Sequence, residues 1–120
     1  MIYHLTSAVE WKLAQQQGYY VTPSLDREGF IHCSTLVQAI PVANAFYQDI
    51  DELVMLCIDE TLLDAEVKWE APAHLEGHTP PADSDAQLFP HVYGVINLEA
   101  VMDCVSVPAD EDGYHLPAGM

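Results

Sequence analysis

Along the 120-residue chain, apolar positions come in short segments whose period keeps changing. In residues 1–6, Ile2 and Leu5 flank the β-favouring Tyr3, and the segment reads as a strand. Ser7 and Glu10 follow with capping-box spacing and Gly18 sits at a closing position, which predicts a helix between them. Val9, Leu13 and the stem of Lys12 or Trp11 would supply its apolar stripe. Residues 19–28 read as a connector broken by Pro23 and Asp26, and residues 30–34 as a compact strand after Gly29. Thr35 and Gln38 repeat the capping-box spacing ahead of a helix reaching Tyr47, with a kink or restart expected at Pro41.

The continuous apolar run 53–58 is the strongest strand and reads as central and buried. A turn at 60–63 and a short alternating strand at 67–70 follow. Residues 71–87 lose any apolar period and gather prolines, His74, His78 and carboxylates, the mark of a long loop. Phe89-Pro90-His91-Val92-Tyr93-Gly94 leads into Val95 and Ile96, Asn97 can cap a single turn over 98–101, and residues 102–107 end the sheet. Residues 108–120 read as an acidic, frayed tail. Two early helices followed mostly by strands predict one α+β domain over residues 1–107, built on a largely antiparallel sheet.

Composition narrows the partners. Nineteen acidic residues face three basic ones, Lys12, Arg27 and Lys68, for a net charge of −16. Three scattered cations cannot make the basic stripe that a phosphate backbone needs, so neither nucleic acid nor an anionic membrane is an expected partner. The acidic excess reads as a solvated surface or an adaptation to salt, with a cation-binding role as the alternative. Half of the residues are hydrophobic, which supports a folded core. The N-terminal residues lack a basic region and an apolar run, and no membrane helix is visible. Cys33, Cys57 and Cys104 are isolated in apolar stretches and read as reduced, buried thiols of a cytoplasmic protein. A monomer or weak homodimer is expected.

Candidate chemistry lies in three clusters that pair an imidazole with a hydroxyl. His4 shares a strand face with Thr6, and His32 shares one with Ser34. His91 shares one with Tyr93 if that segment is extended. A metal site built on His74 and His78, with Glu70, Glu76, Asp83 and Asp85 nearby, is a weaker candidate. Pro72, Gly77 and Pro80 oppose the helix that would present both imidazoles together, and no metal is expected.

Four segments carry a family resemblance: Ile2-Tyr3-His4-Leu5-Thr6, Glu28-Gly29-Phe30-Ile31-His32-Cys33-Ser34-Thr35, Val42-Ala43-Asn44-Ala45-Phe46-Tyr47 and Leu88-Phe89-Pro90-His91-Val92-Tyr93-Gly94. On these the chain is identified as a member of the small bacterial proteins called domain of unknown function 952, a name that brings no activity with it. Tyr-His-x-Thr in a first strand and His-x-Ser in a later one also resemble the ADP-ribosyltransferase fold, most nearly its RNA 2′-phosphotransferase branch. That resemblance implies a split, mostly antiparallel sheet with two N-terminal helices and NAD in a central cleft. His4 would bond a ribose hydroxyl, Thr6 would support the same wall, and His32 and Ser34 would line the nicotinamide side. His91 and Tyr93 stand where the fold's usual carboxylate is expected, with Glu99 and Gln87 as the nearest substitutes, and the phosphate-gripping loop arginines are missing. His91, Tyr93 and His32 are the expected catalytic residues, acting on an NAD-like nucleotide or ribosyl ligand. The alternatives are a non-catalytic metabolite- or partner-binding domain on the same fold and a metal-dependent hydrolase using the loop histidines.

Overall fold

In the computed structural model, which describes residues 1–71 and 88–120, strand β1 (Ile2–Ser7) runs straight into helix α1 (Ala8–Gln17). The Ser7 hydroxyl accepts from the Glu10 N–H at 3.1 Å, so the forward half of the expected capping box forms. Gly18 closes the helix at φ 96°, a conformation that favours glycine. The expected apolar stripe needs correction. Val9 is 73% exposed and Leu13 50%, while Ala14 is buried with Trp11 packed near it. At about 3.6 residues per turn, Trp11 shares the face of Ala14 and Val9 points well away from it.

The expected connector at 19–28 is structured. It holds strand β2 (Tyr19–Tyr20) and helix α2 (Pro23–Glu28), so the described residues carry three α-helices where two were expected. Pro23 starts α2 rather than breaking it, because its missing N–H has no partner to lose in a first turn. Strand β3 (Ile31–His32) is shorter than expected, and helix α3 (Leu36–Phe46) follows a complete Thr35–Gln38 capping box. No restart occurs at Pro41. The helix runs through it and gives up the bond to the Val37 carbonyl, on a residue exposed enough for water to serve it.

The remaining elements are β4 (Leu53–Ile58), a 3-10 turn (Glu60–Leu62), β5 (Val67–Glu70), β6 (Phe89–Val92), β7 (Ile96–Asn97), a second 3-10 turn (Leu98–Ala100) and β8 (Val101–Ser106). Asn97 does not cap with its side chain as expected. Its amide instead bonds the Asp64 N–H and the Leu62 carbonyl, tying two loops together. The frayed tail is also corrected. Strands β9 (Ala109–Asp110) and β10 (Gly113–Tyr114) form a hairpin there. Tyr114 is buried against α3, and its hydroxyl donates to the Tyr47 carbonyl at 2.7 Å.

Every described strand pairing is antiparallel, and the fold is α+β. Two three-stranded sheets, ordered β1-β4-β8 and β3-β6-β5, dominate. Strand β4 is central and wholly buried, as the apolar run predicts. Its alternate residues feed two apolar clusters. Leu56 and Ile58 pack with Ile2, Ile31, Val92 and Ile96, while Leu53 and Met55 pack with Leu5, Ala39, Ala43 and Tyr114. Cys33 and Cys57 are buried and unpaired, and burial pushes both thiols up. Among the described residues, no helix is long and apolar enough to cross a membrane.

Candidate functional site

The second sheet buries one face and gives the other to polar and aromatic groups. Ile31, Val92 and Val67 stand side by side across β3, β6 and β5, and Ile31 and Val92 are fully buried. The next rung, His32, His91 and Lys68, faces the opposite way. Alternation adds Phe30, Glu70 and Tyr93 to that second face. Pairing type draws the two histidines together. The Cys33 N–H donates to the Pro90 carbonyl at 3.0 Å, and Pro90 has no N–H to return. His32 and His91, one step along, therefore form the non-hydrogen-bonded kind of pair, in which side chains stand closer. Their ring centroids are 5.6 Å apart.

Phe30 organises this face. It stacks on the His91 ring at 4.1 Å and lies 4.9 Å from the His32 ring and 5.4 Å from that of Tyr93. Each imidazole is held by one carboxylate. His32 Nε2 lies 2.6 Å from Glu28 Oε2, and His91 Nδ1 lies 2.8 Å from Glu70 Oε1. The Tyr93 hydroxyl donates to that same Glu70 oxygen at 2.6 Å, and the Lys68 ammonium sits 4.6 Å from the Tyr93 ring centre. The two donors, Tyr93 foremost, hold the Glu70 carboxyl below its usual range, and the bond to Glu70 pushes the Tyr93 phenol up. Burial lowers His91, against the opposing pull of Glu70. An ionised Glu70 only accepts, so a neutral His91 carries its proton on Nδ1 and keeps a lone pair on Nε2.

His4 and Thr6 lie one layer deeper. The His4 Nδ1–H donates to the His32 carbonyl, because a carbonyl can only accept. His4 Nε2 lies 2.8 Å from the Tyr20 hydroxyl, which in turn bonds Thr6. Burial lowers the His4 pKa to about 4 and pushes the Tyr20 phenol up. With both ring nitrogens engaged by protein and the residue 4% exposed, His4 has no atom left for a ribose hydroxyl. Ser34 is buried where β1 meets β3, its backbone exchanging two hydrogen bonds with Tyr3.

Of the expected residues, His32, His91 and Tyr93 thus meet on one face, His4 and Thr6 lie behind it, and Ser34 is buried at the bridge to Tyr3. Sequence reasoning missed Glu70, Glu28 and Phe30 as members of the site and Tyr20 as its support. The signal for Glu70 was available. Pairing strand 67–70 antiparallel with 89–92 sets Glu70 opposite Phe89, two residues from His91. Glu99 instead accepts from Asn97 on the surface. His74, His78, Glu76, Asp83, Asp85 and Gln87 lie outside the described residues. Among the described residues, no group of three or more His, Cys, Asp or Glu could hold a metal ion. A separate acidic groove of about 660 Å³ lies between α3 and the β9–β10 hairpin, lined by none of the imidazole-face residues.

The chain matches the family model for proteins of unknown function (DUF952) over residues 5–104 and belongs to that family. It is similar to the X-ray crystal structure of protein CC0527 from Caulobacter crescentus, at 29% identity and a TM-score of 0.76, covering 94% of this chain and 90% of that one. The solution NMR structure of the same Caulobacter crescentus protein matches at 29% identity and a TM-score of 0.71, covering 94% and 89%. No curated protein matches the chain.

Proposed function

We propose that the face of Phe30, His32, Glu70, His91 and Tyr93 binds an NAD-type nucleotide or other ribosyl ligand and transfers a proton to or from it through His91. The observation that carries this reading is the His91–Glu70 pair. Glu70 holds Nδ1–H at 2.8 Å, which orients the ring and leaves Nε2 as the reacting atom. Glu70 also supplies the carboxylate that the likeness to ADP-ribosyltransferases calls for, beside Tyr93 rather than on Glu99 or Gln87. None of the described residues donates to its second oxygen, Oε2, which is placed to stabilise positive charge on a ribosyl group. The parting of the two sheets beyond the Tyr3–Ser34 bridge supports a split-sheet, ADP-ribosyltransferase-like fold, and the unpaired cysteines support a cytoplasmic setting. A single chain carries every residue of the face, which suits a monomer or weak homodimer.

A second reading, a non-catalytic binding domain, is favoured by one observation: His91 is only 2% exposed. Calorimetry with NAD, ADP-ribose and nicotinamide tests what the two readings share, and saturable binding at or below millimolar levels is expected. No heat from any of the three overturns the ligand assignment. A His91→Gln chain that binds the same ligand but no longer turns it over favours the enzyme. Saturable binding with no turnover by the parent chain favours the binding domain, and equal turnover in both chains removes His91 as the proton-transferring group.

A further inference from the structure

We propose that His4 and Tyr20 are positioning residues for His32, acting through its backbone carbonyl and not through contact with a ligand. The proposal rests on the reading of the His32–His91 face as the ligand site. Tyr3 of β1 and Ser34, two residues past β3, exchange two hydrogen bonds, and continuing that register would set Leu5 opposite His32. No such rung forms among the described residues, and the two sheets part there. The His32 carbonyl, on the edge of β3 that faces away from β6, is left without a backbone donor. The His4 side chain fills that vacancy.

The support behind it has one consistent polarity. Thr6 bonds Tyr20, the Tyr20 hydroxyl donates to His4 Nε2, and His4 Nδ1–H donates to the His32 carbonyl. His4, Thr6 and Tyr20 are each at least nine-tenths buried, so no member can swap its partner for bulk water. The polarity needs a neutral His4, which its burial provides. His32 needs such a hold because its own strand gives little. β3 is two residues long, and the neighbouring Cys33–Pro90 rung carries one bond, not two. Fixing the carbonyl fixes the peptide, and with it the direction in which the imidazole leaves toward Glu28 and His91.

The test follows labelled histidine side chains by NMR in the full chain, with NAD as the probe ligand. In His4→Ala, the His32 imidazole signals should move and NAD affinity should fall about tenfold or more. In His4→Gln, whose amide N–H can donate to the same carbonyl, the His32 signals should return toward those of the parent and affinity should stay within about threefold. His115, held by Asp110 on the distant-in-sequence hairpin, is the internal control and should not move. A folded His4→Ala with a lowered melting temperature and unmoved His32 signals overturns the proposal and leaves His4 merely structural. If His4→Ala does not fold, Tyr20→Phe carries the test: a smaller His32 displacement supports the proposal, and none overturns it. NAD binding with unmoved His32 signals sinks the positioning role alone. Moved His32 signals in a chain that never binds NAD sink the ligand reading alone.

Discussion

Strands β4 and β6 are each the centre of a three-stranded antiparallel sheet, yet they put their two faces to different use. Every residue of β4, from Leu53 to Ile58, is buried, with one apolar cluster on each side. Strand β6 buries Val92 on one face and gives the other to His91, stacked on Phe30 and held by Glu70. A central strand covered by apolar groups on both faces is wholly committed to stability. A central strand with one face given to partnered polar groups can host chemistry, because pairing on both edges holds its backbone while its side chains keep ionisable atoms.

The sharpest way to break this contrast is to truncate β4. Met55→Ala removes a fully buried side chain between α3 and the sheet and should cost about 2–5 kcal/mol in chemical denaturation. A cost below about 1 kcal/mol would mean that β4 is not the stability centre.

Next in size is the response to acid. The folded His4 pKa lies near 4, below the ordinary value of 6.5, so the unfolded chain binds the proton more readily. Stability should therefore be intact above pH 6.5 and should fall as the pH drops toward 4, by roughly 3 kcal/mol in all. The lowered His91 adds in the same direction. Between about pH 6.5 and 5, before most carboxylates titrate, His4→Gln should flatten the stability curve relative to the parent. Parallel curves for the two chains would remove His4 as the source.

His91→Gln should lower turnover of a bound ribosyl ligand by about 100-fold or more, with melting temperature and affinity little changed. If turnover and melting temperature drop together, β6 behaves like β4 and the contrast fails.

The smallest effect concerns the C-terminal hairpin. Tyr114→Phe removes the hydroxyl that donates to the Tyr47 and Ile50 carbonyls, leaving Tyr47 only the Ile50 N–H, and should cost about 1 kcal/mol. No change in the denaturation midpoint would restore the reading of residues 108–120 as a frayed tail.

The same contrast explains what the sequence revealed. The β4 run is a local signal, as are Gly18 and the Thr35–Gln38 box, and all three are legible because the residues that decide them are neighbours. Pro23 misled because a proline that ends one element and a proline that begins another look alike without the register around them. The 108–120 hairpin was hidden because its burial rests on Tyr114 reaching Tyr47, 67 residues earlier. The three imidazole–hydroxyl clusters were visible, but their division into a polar face and a layer behind it depends on which strands pair. Glu70 became part of the site only when β5 was laid against β6, since 21 residues separate it from His91.

The most direct test of the central claim, that the polar face of β6 is where ligand binds, is an NMR titration of the full chain with NAD. The account predicts that the His32 and His91 imidazole signals and the Tyr93 ring signals move together and saturate, while the Met55 methyl on β4 stays fixed. Signals that move instead at Tyr114 and the acidic groove beside it, or no movement at any residue, would contradict it.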